Sequence, residues 1–281
     1  MGVSEYLKNI RLNHWWGWIG ICAIAAYVFN PEFMIKPFLL VVSGFSFLFA
    51  SGYSLNNTFD HRSDKWNPSK RNPVAEEKIS FGGGLMESII LGITGLILLG
   101  IVSMEGLIGG VLLIILIIIY HVPPVRTKGR PYLDIITITL LYSTPFFIGF
   151  SAINSIELRG TSLAILFGLL SGATHPFQTA KDVVEDRRNG DTTISVLIGV
   201  KKSVILSFAI FVLSLAYFEL LILKDIIDPR LFFIPLTFIP TLLYYSKTVA
   251  CPSNKRIDNT LLLLRLNGII GGIISLYVIV R

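Results

Sequence analysis

Acidic side chains at helical spacing are the clearest chemical signal in this sequence. One set, spaced four residues apart, consists of Asn56, Asp60 and Asp64, and a second set with the same spacing consists of Gln178, Asp182 and Asp186. Residues at i, i+4 and i+8 share one helix face, so each set predicts a polar stripe. Carboxylates one turn apart repel each other and need a cation nearby. Hard oxygen ligands suit Mg²⁺, which takes one or two carboxylates and completes its shell with water and substrate phosphates.

Basic residues accompany both stripes. The neighbouring cations that could grip phosphate oxygens directly are Lys70, Arg71, Arg126, Lys128 and Lys181. Acids alone would indicate a cation pathway, whereas acids beside bases indicate a polyanionic phosphate bridged by metal ions. Acids at helix ends also occur in solvated headgroup regions, paired with Lys or Arg, and either explanation fits one stripe. Two stripes of equal spacing favour a functional site.

The composition indicates a membrane protein with many spans. Of the 281 residues, 53% are apolar and only 15% are charged, whereas a soluble domain has about 25% charged residues. This excludes a disordered chain, because such chains are poor in apolar residues. The net charge of +6 comes from basic residues in short loops between apolar runs. We therefore expect an anionic membrane surface or an anionic substrate as partner, and no nucleic acid.

Nine apolar stretches are long enough, or nearly so, to cross about 30 Å of hydrocarbon as helices. They cover residues 14–30, 37–59, 82–104, 106–121, 132–153, 160–184, 201–223, 231–248 and 260–280. A very tight turn separates the third from the fourth, so eight or ten helices stay open. Four prolines fall inside segments, where membrane helices tolerate them: Pro145, Pro176, Pro235 and Pro240. We expect an all-α polytopic membrane helix bundle, with about nine transmembrane helices around a central cavity open at the cytoplasmic rim. It would form a single domain over residues 1–281.

The distribution of basic residues predicts the orientation in the membrane. Of the 24 Lys and Arg residues, 18 fall in the N-terminal stretch and in the loops after the second, fourth, sixth and eighth segments, five fall on the other side, and Arg265 lies inside the last segment. Cytoplasmic loops carry such an excess, so we place the N-terminus inside and the C-terminus outside. The second and sixth segments then run in the same direction, and both stripes reach the cytoplasmic rim as a weak parallel repeat.

Three loop sequences carry a resemblance to a known family. The first runs from Asn56 to Pro73, as Asn-Asn-Thr-Phe-Asp-His-Arg-Ser-Asp-Lys-Trp-Asn-Pro-Ser-Lys-Arg-Asn-Pro. The second, from Tyr120, reads Tyr-His-Val-Pro-Pro-Val-Arg-Thr-Lys-Gly-Arg-Pro-Tyr-Leu-Asp, and the third, from Lys181, reads Lys-Asp-Val-Val-Glu-Asp-Arg-Arg-Asn-Gly-Asp-Thr-Thr. Together they resemble the signature regions of the UbiA superfamily of intramembrane prenyltransferases, and the resemblance covers essentially the whole chain. The departures are Asn57 in place of a frequent Asp, Pro73 one residue late, and His121 in place of a frequent Ser.

The resemblance implies roles for the motif residues. Asn56, Asp60 and Asp64 would hold one Mg²⁺, and Asp182 and Asp186 a second, with the four aspartates as catalytic residues. Both ions would bridge the diphosphate of an isoprenyl donor such as geranylgeranyl diphosphate. The expected substrate-binding residues are Arg11, Lys70, Arg71, Tyr120, Arg126, Lys128, Gln178 and Lys181. The prenyl group would pass, as an allylic carbocation, to a lipophilic acceptor, with the active site facing the cytoplasm from the cell membrane.

The acceptor and the roles of three residues stay open. The family offers an ether-lipid precursor, a quinone precursor and a carotenoid among its acceptors. Arg265, His175 and Tyr142 lie where they could touch a ligand or serve packing alone. The alternatives from other functional classes are a polytopic transporter and a non-catalytic isoprenoid-binding membrane protein. Transport sites are expected near the bilayer midplane, often with broken helices, whereas these acids cluster at one rim beside basic loops.

Overall fold

The computed structural model describes residues 2–29, 33–65 and 71–280. Its α-helices are α1 (Val3–Asn9), α2 (Leu12–Val28), α3 (Ile35–Asp64), α4 (Phe81–Val102), α5 (Met104–His121), α6 (Leu133–Ser151), α7 (Leu158–Gly172), α8 (His175–Asn189), α9 (Ile194–Ile198), α10 (Val200–Leu223), α11 (Ile239–Ala250) and α12 (Asn254–Val280). Two 3₁₀ segments, Pro229–Leu231 and Ile234–Phe238, precede α11. No strand occurs in these described ranges, which confirms the all-α prediction.

Six helices are long and apolar enough to cross a membrane. Within the part of the chain that the structure describes, the spanning stretches are Ile35–Asp64, Phe81–Val102, Met104–His121, Leu133–Ser151, Val200–Leu223 and Asn254–Ser275. The predicted segments in α2, α7 and α11 give helices of 17, 15 and 12 residues, shorter than the roughly 20 residues that a straight span needs. The count of nine spans is therefore not confirmed.

Two of the predicted segments are divided or shortened at their internal prolines, which lie in the first turns of helices. The expected continuous helix over 160–184 is divided into α7 and α8, with Pro176 in the first turn of α8. Proline lacks the N–H that a helix interior needs, and the first turn is where that loss costs least. The segment over 231–248 likewise starts with 3₁₀ turns that contain Pro235, and Pro240 lies in the first turn of α11. Pro145 does lie inside α6, as predicted.

The helices divide into two compact units. The first comprises residues 1–126 and 144–164, and the second comprises residues 127–143 and 165–281. Each unit holds one of the two acidic stripes. The single domain expected over residues 1–281 and its central cavity stay predictions.

The first unit is built around α3, which packs against α2, α4 and α5. Glycines allow α3 and α4 to come very close, since a Cβ added to Gly95 would stand 2.7 Å from the backbone oxygen of Gly44. The contact is also polar, because the Ser51 hydroxyl donates to the Ser88 carbonyl at 2.8 Å. Such small residues are typical of helix contacts in membranes. This packing fixes the C-terminal turns of α3, where the first stripe lies.

The second unit packs α8 against α9 and α10, and α12 against α11. Phe177 of α8 and Tyr245 of α11 are fully buried, and their ring centroids are 4.8 Å apart. The Tyr245 hydroxyl donates to the Ser207 hydroxyl at 2.5 Å and thus joins α11 to α10. These contacts hold α8, and with it the second stripe, against its neighbours.

Candidate active site

The first acidic stripe occupies the last turns of α3. Its carboxylates are buried, with Asp60 6% and Asp64 5% exposed. The Arg126 guanidinium donates to Asp60 Oδ1 at 3.3 Å, and Arg11 Nη2 lies 3.7 Å from Asp64 Oδ2. Two buried carboxylates thus face two arginines that come from distant parts of the chain, which is the acid-and-base arrangement that the sequence predicts.

Both of these arginines have unusual backbone conformations. Arg11 has φ 48° and Arg126 has φ 23°, in the region that residues other than glycine seldom adopt. Arg11 also donates to the Arg71 carbonyl, at 3.5 Å, so the predicted substrate-binding residues Arg11 and Arg71 lie side by side. Strained backbone is concentrated at functional sites, where surrounding structure holds it in place.

An asparagine that sequence reasoning missed fixes the second carboxylate of this stripe. Asn72 is fully buried, and its amide group donates to Asp64 Oδ2 at 3.0 Å and to the Asn57 carbonyl at 2.8 Å. Its side-chain oxygen accepts from the backbone N–H groups of Val74 and Ala75. The loop after α3 is therefore folded back on the stripe.

Two further asparagines extend this connection to α1. The Asn57 side chain donates to Asn9 Oδ1 at 3.0 Å and to the Asn9 carbonyl at 2.8 Å. Asn9 in turn donates to Ser54 and Glu87. Asn57 is fully buried, so the residue that departs from the family pattern joins α1 to α3. The signal of this role in the sequence was a second polar residue directly after Asn56.

Two other residues of the first unit, Tyr120 and Lys70, are also predicted to bind the substrate. Tyr120 is 6% exposed in the last turn of α5, and its ring lies edge-on to His121 with centroids 4.8 Å apart. Lys70 lies outside the described residues. At the edge of the same loop Lys65 donates to Glu77 at 2.8 Å, and this hydrogen bond lowers the pKa of the exposed Glu77 carboxyl.

The second acidic stripe lies on α8. The Thr193 hydroxyl donates to Asp186 Oδ2 at 2.9 Å, and Lys181 Nζ lies 2.5 Å from Asp258 Oδ1 of α12. Asp182 is exposed and Asp186 half-buried, in contrast to the buried acids of the first stripe. A cavity of about 360 Å³ adjoins the stripe; it is lined by Gln178, Lys181, Asp182, Asp258, Leu261, Leu262 and Arg265.

The loop that carries Lys128 docks beside this stripe. The Thr192 N–H donates to the Gly129 carbonyl at 2.9 Å. Gly129 has φ +76°, and a Cβ added there would stand 2.6 Å from the Asp191 carboxylate. Glycine is therefore required at this contact, and it places Lys128 in the loop next to the end of α8.

A buried acid and histidine form a separate pair in the second unit. Asp134 is 1% and His175 7% exposed, and His175 Nε2 lies 3.1 Å from Asp134 Oδ2. Within the described residues, neither ring nitrogen of His175 has a hydrogen-bond partner, and neither does Asp134 Oδ1. Asp134 lies in the first turn of α6 and His175 begins α8, so the starts of these two helices lie side by side.

Comparison with known proteins identifies the family to which this chain belongs. The UbiA prenyltransferase family model matches residues 15–268, which is most of the chain. The chain therefore belongs to the UbiA prenyltransferase family, and the predicted assignment as a prenyltransferase is confirmed.

The similar proteins include enzymes with two different names. The chain is similar to the digeranylgeranylglyceryl phosphate synthase of Sulfurisphaera tokodaii, with 28% identity over 76% of each chain. It is also similar to the lycopene elongase/hydratase of Corynebacterium glutamicum, with 26% identity over 74% of this chain and 67% of the relative.

Solved structures share the fold over nearly the whole length. A UbiA homolog from Archaeoglobus fulgidus bound to GPP and Mg²⁺ matches with a TM-score of 0.76 and 17% identity, covering 97% of this chain and 99% of the other. A structure from work on digeranylgeranylglyceryl phosphate synthase in membranes matches with a TM-score of 0.80 and 20% identity, covering 98% and 97%. The magnesium that the sequence predicts is thus present in a solved structure with this fold.

Proposed function

We propose that this chain transfers a prenyl group from an isoprenyl diphosphate, such as geranylgeranyl diphosphate, to a lipophilic acceptor with Mg²⁺ as cofactor. The observation that carries the proposal is the pair of buried carboxylates, Asp60 and Asp64, each beside an arginine. Such a site provides ligands for a cation and for a polyanion together. Family membership and the relative bound to GPP and Mg²⁺ support it.

The donor atoms fit magnesium. Asn56, Asp60 and Asp64 would hold one ion, and Asp182 and Asp186 a second, all through hard oxygen atoms. Among the described residues, no three His, Cys, Asp or Glu side chains converge on one point, and pairs of carboxylates are what Mg²⁺ usually takes from a protein. When bound, Mg²⁺ neutralises charge that develops on the diphosphate.

The basic residues stabilise the leaving group. The allylic C–O bond breaks with its electron pair on the diphosphate, so negative charge grows on those oxygens. Guanidinium groups that are already fixed in place lower the barrier, because they need no reorganisation as the charge develops. We assign this role to Arg126, held beside Asp60, and to Arg11 and Arg71, which lie side by side. Lys70, Tyr120, Lys128, Gln178 and Lys181 are proposed to complete the binding of the donor.

Burial in the membrane protects the reactive intermediate. The allylic carbocation is attacked by a nucleophile of the acceptor, and water would compete for it. An apolar helix bundle keeps water from the cation. We place the protein in the cell membrane with the site facing the cytoplasm, where the excess of Lys and Arg lies. The names of the relatives support an ether-lipid precursor or a carotenoid as acceptor, and the quinone precursor expected from the family resemblance stays open.

The experiment uses the purified full chain in detergent with radiolabelled geranylgeranyl diphosphate, with and without Mg²⁺, and a panel of acceptors. Asp60→Asn and Asp182→Asn test the two stripes. Glu157→Gln, the same isosteric change at an exposed acid of the loop before α7, is the matched control. Magnesium-dependent transfer in the wild type and the control, lost in both aspartate variants, is the expected result.

Two other outcomes have clear meanings. A wild type that neither binds the diphosphate nor releases inorganic diphosphate under any condition would overturn the proposal. Full activity in Asp60→Asn and Asp182→Asn would show that transfer occurs without the acidic stripes, and would overturn the assigned mechanism.

A further inference from the structure

Arg265 is a charged residue in an otherwise apolar part of α12. It lies 11 residues after Asn254, about 16 Å along the helix axis. Between Asn259 and Val280 it is the one charged residue in the sequence. The stretch Asn254–Ser275 is one of those apolar enough to cross a membrane. A charge at such a depth is costly and usually faces a bundle interior or a polar cavity.

The structure shows such a cavity beside Arg265. It has a volume of about 360 Å³ and lies between α8 and α12, with Gln178 and Asp182 on one wall and Arg265 on the other. Lys181 and Asp258 form an ion pair in this cavity, 2.5 Å apart. In the described part of the chain, no hydrogen bond or ion pair engages Arg265. Its N–H donors are therefore available to a ligand.

The surroundings define the chemical class of that ligand. A guanidinium group binds the oxygens of a phosphate through two parallel hydrogen bonds. Leu261 and Leu262 line the same cavity and offer apolar surface to an alkyl chain. A lipid with a phosphate headgroup meets both conditions.

Position along α12 separates Arg265 from the end of the cavity where Lys181 and Asp182 lie. Arg265 lies seven residues after Asp258, about 10 Å further along α12, and away from the end where Asp258 pairs with Lys181. Lys181 is next to Asp182, which is assigned to the donor site. Arg265 is thus deeper in the apolar helix than the ion pair of Lys181 and Asp258.

We propose that Arg265 binds the phosphate headgroup of the prenyl acceptor. The inference rests on the proposed function and deepens it, since it selects a phosphorylated lipid over an uncharged acceptor. One group of relatives is named for a glyceryl phosphate and the other for lycopene, a hydrocarbon. The cavity favours the first kind of acceptor for this chain.

The test compares two acceptors that differ only in the headgroup, geranylgeranylglyceryl phosphate and its dephosphorylated alcohol. Purified wild type, Arg265→Gln, Arg265→Lys and Lys255→Gln are assayed with Mg²⁺ and labelled donor. Lys255 is an exposed cation at the start of the same helix and serves as the control. We expect Arg265→Gln to raise the KM for the phosphorylated acceptor about ten- to hundredfold. The KM for the donor should not change, Arg265→Lys should lose less, and Lys255→Gln should match the wild type.

The remaining outcomes distinguish the two proposals. No magnesium-dependent transfer by the wild type to any acceptor would overturn the proposed function itself. Transfer with equal KM values for both acceptors, or with a preference for lycopene, would overturn the phosphate assignment alone, even if Arg265→Gln failed to fold. A rise in the KM for the donor instead of the acceptor would assign Arg265 to the diphosphate and would also overturn it.

Discussion

Asn72 has the contacts of a residue that holds the Asp64 carboxylate in place. It bridges Asp64 and the Asn57 carbonyl, and its own oxygen is fixed by two backbone N–H groups of its loop. A carboxylate that binds a metal needs a fixed orientation, and hydrogen bonds from outside the metal site supply it. Asp64 thus depends on a loop that lies beyond the acidic motif.

Replacing Asn72 by Ala should loosen Asp64. We expect a higher Mg²⁺ concentration for half-maximal transfer and an activity loss of about 10- to 100-fold, the range found for such supporting residues. The Asn57 carbonyl would also lose a buried partner, at a cost of about 1–3 kcal/mol in stability. A magnesium titration of activity measures the first effect. Asn154→Ala, which loses only a bond to the Phe150 carbonyl, should leave the titration unchanged, and equal magnesium curves for Asn72→Ala and the wild type would contradict the role.

Arg126 is the cation that lies against the other buried carboxylate. Arg126→Gln should reduce kcat by about 10²- to 10³-fold, because a donor prepared for the developing charge is lost. Arg126→Lys should recover only part of the rate, since an ammonium group cannot form the paired hydrogen bonds of a guanidinium group. Arg130, exposed in the same loop, provides the control: Arg130→Gln should stay within about twofold of the wild type in steady-state assays. Equal losses for both arginines would indicate a general charge effect.

At the scale of residues, the sequence predicted which acidic and basic side chains belong to the candidate site. It did not predict which of them form ion pairs or hydrogen bonds with each other. The spacing of Asp60 and Asp64 predicted a shared face because a helix repeats every 3.6 residues. The pairing of Arg11 with Asp64 brings together residues 53 positions apart, and no local pattern encodes such a contact. Asn72 was missed for the same reason, since its partners depend on how the loop folds back on α3.

At the scale of elements, the length of the apolar stretches predicted the positions of most helices, although not the number of spans. The turn between α4 and α5 was expected to be very tight, and Ser103 alone separates them, with its hydroxyl accepting from the Gly106 N–H at 3.0 Å. The prediction of one continuous segment over 160–184 was wrong, since α7 ends at Gly172 and α8 begins at His175. A proline in an apolar segment is compatible with both a kinked and an ended helix. Whether the helix kinks or ends at the proline depends on how neighbouring helices pack against it, and the sequence alone does not give that packing.

The contact of α3 with α4 depends on glycines at particular positions. Gly95→Ala should destabilise the protein by about 1–3 kcal/mol, because the new methyl group would stand 2.7 Å from both the Gly44 oxygen and Leu48. Gly100 of the same helix meets nothing closer than 3.7 Å, so Gly100→Ala should be neutral or stabilise by up to about 1 kcal/mol through helix propensity. Thermal unfolding of both variants in detergent measures the difference. Equal melting temperatures would show that α3 and α4 do not pack so closely.

At the scale of the whole molecule, each compact unit contains one acidic stripe, the first on the last turns of α3 and the second along α8. The first stripe is buried against arginines and the second adjoins a cavity that holds both acids and bases. Two stripes of equal spacing are what a weak internal repeat predicts. The differences in their surroundings were not predictable from the sequence, because the burial of a carboxylate depends on neighbours that lie far away in the chain.

Orientation in the membrane is a prediction that the native cysteines can test. Cys22 is fully buried and Cys251 is exposed at the end of α11, in a loop expected to be cytoplasmic. A membrane-impermeant maleimide should therefore label Cys251 in permeabilised cells and inverted vesicles, but not in intact cells. Cys251→Ser should abolish labelling, since the buried Cys22 does not meet the reagent.

The opposite face supplies the matched control for this experiment. Ser155 is exposed in the loop between α6 and α7, on the side expected to face outward. In the Cys251→Ser background, Ser155→Cys should be labelled in intact cells. The reverse labelling pattern at both positions would show the opposite orientation in the membrane. The acidic stripes would then lie outside, because both are expected on the side of Cys251. An isoprenyl diphosphate made in the cytoplasm would then have to cross the membrane before reaction, and the excess of Lys and Arg would have to be explained by something other than the positive-inside rule.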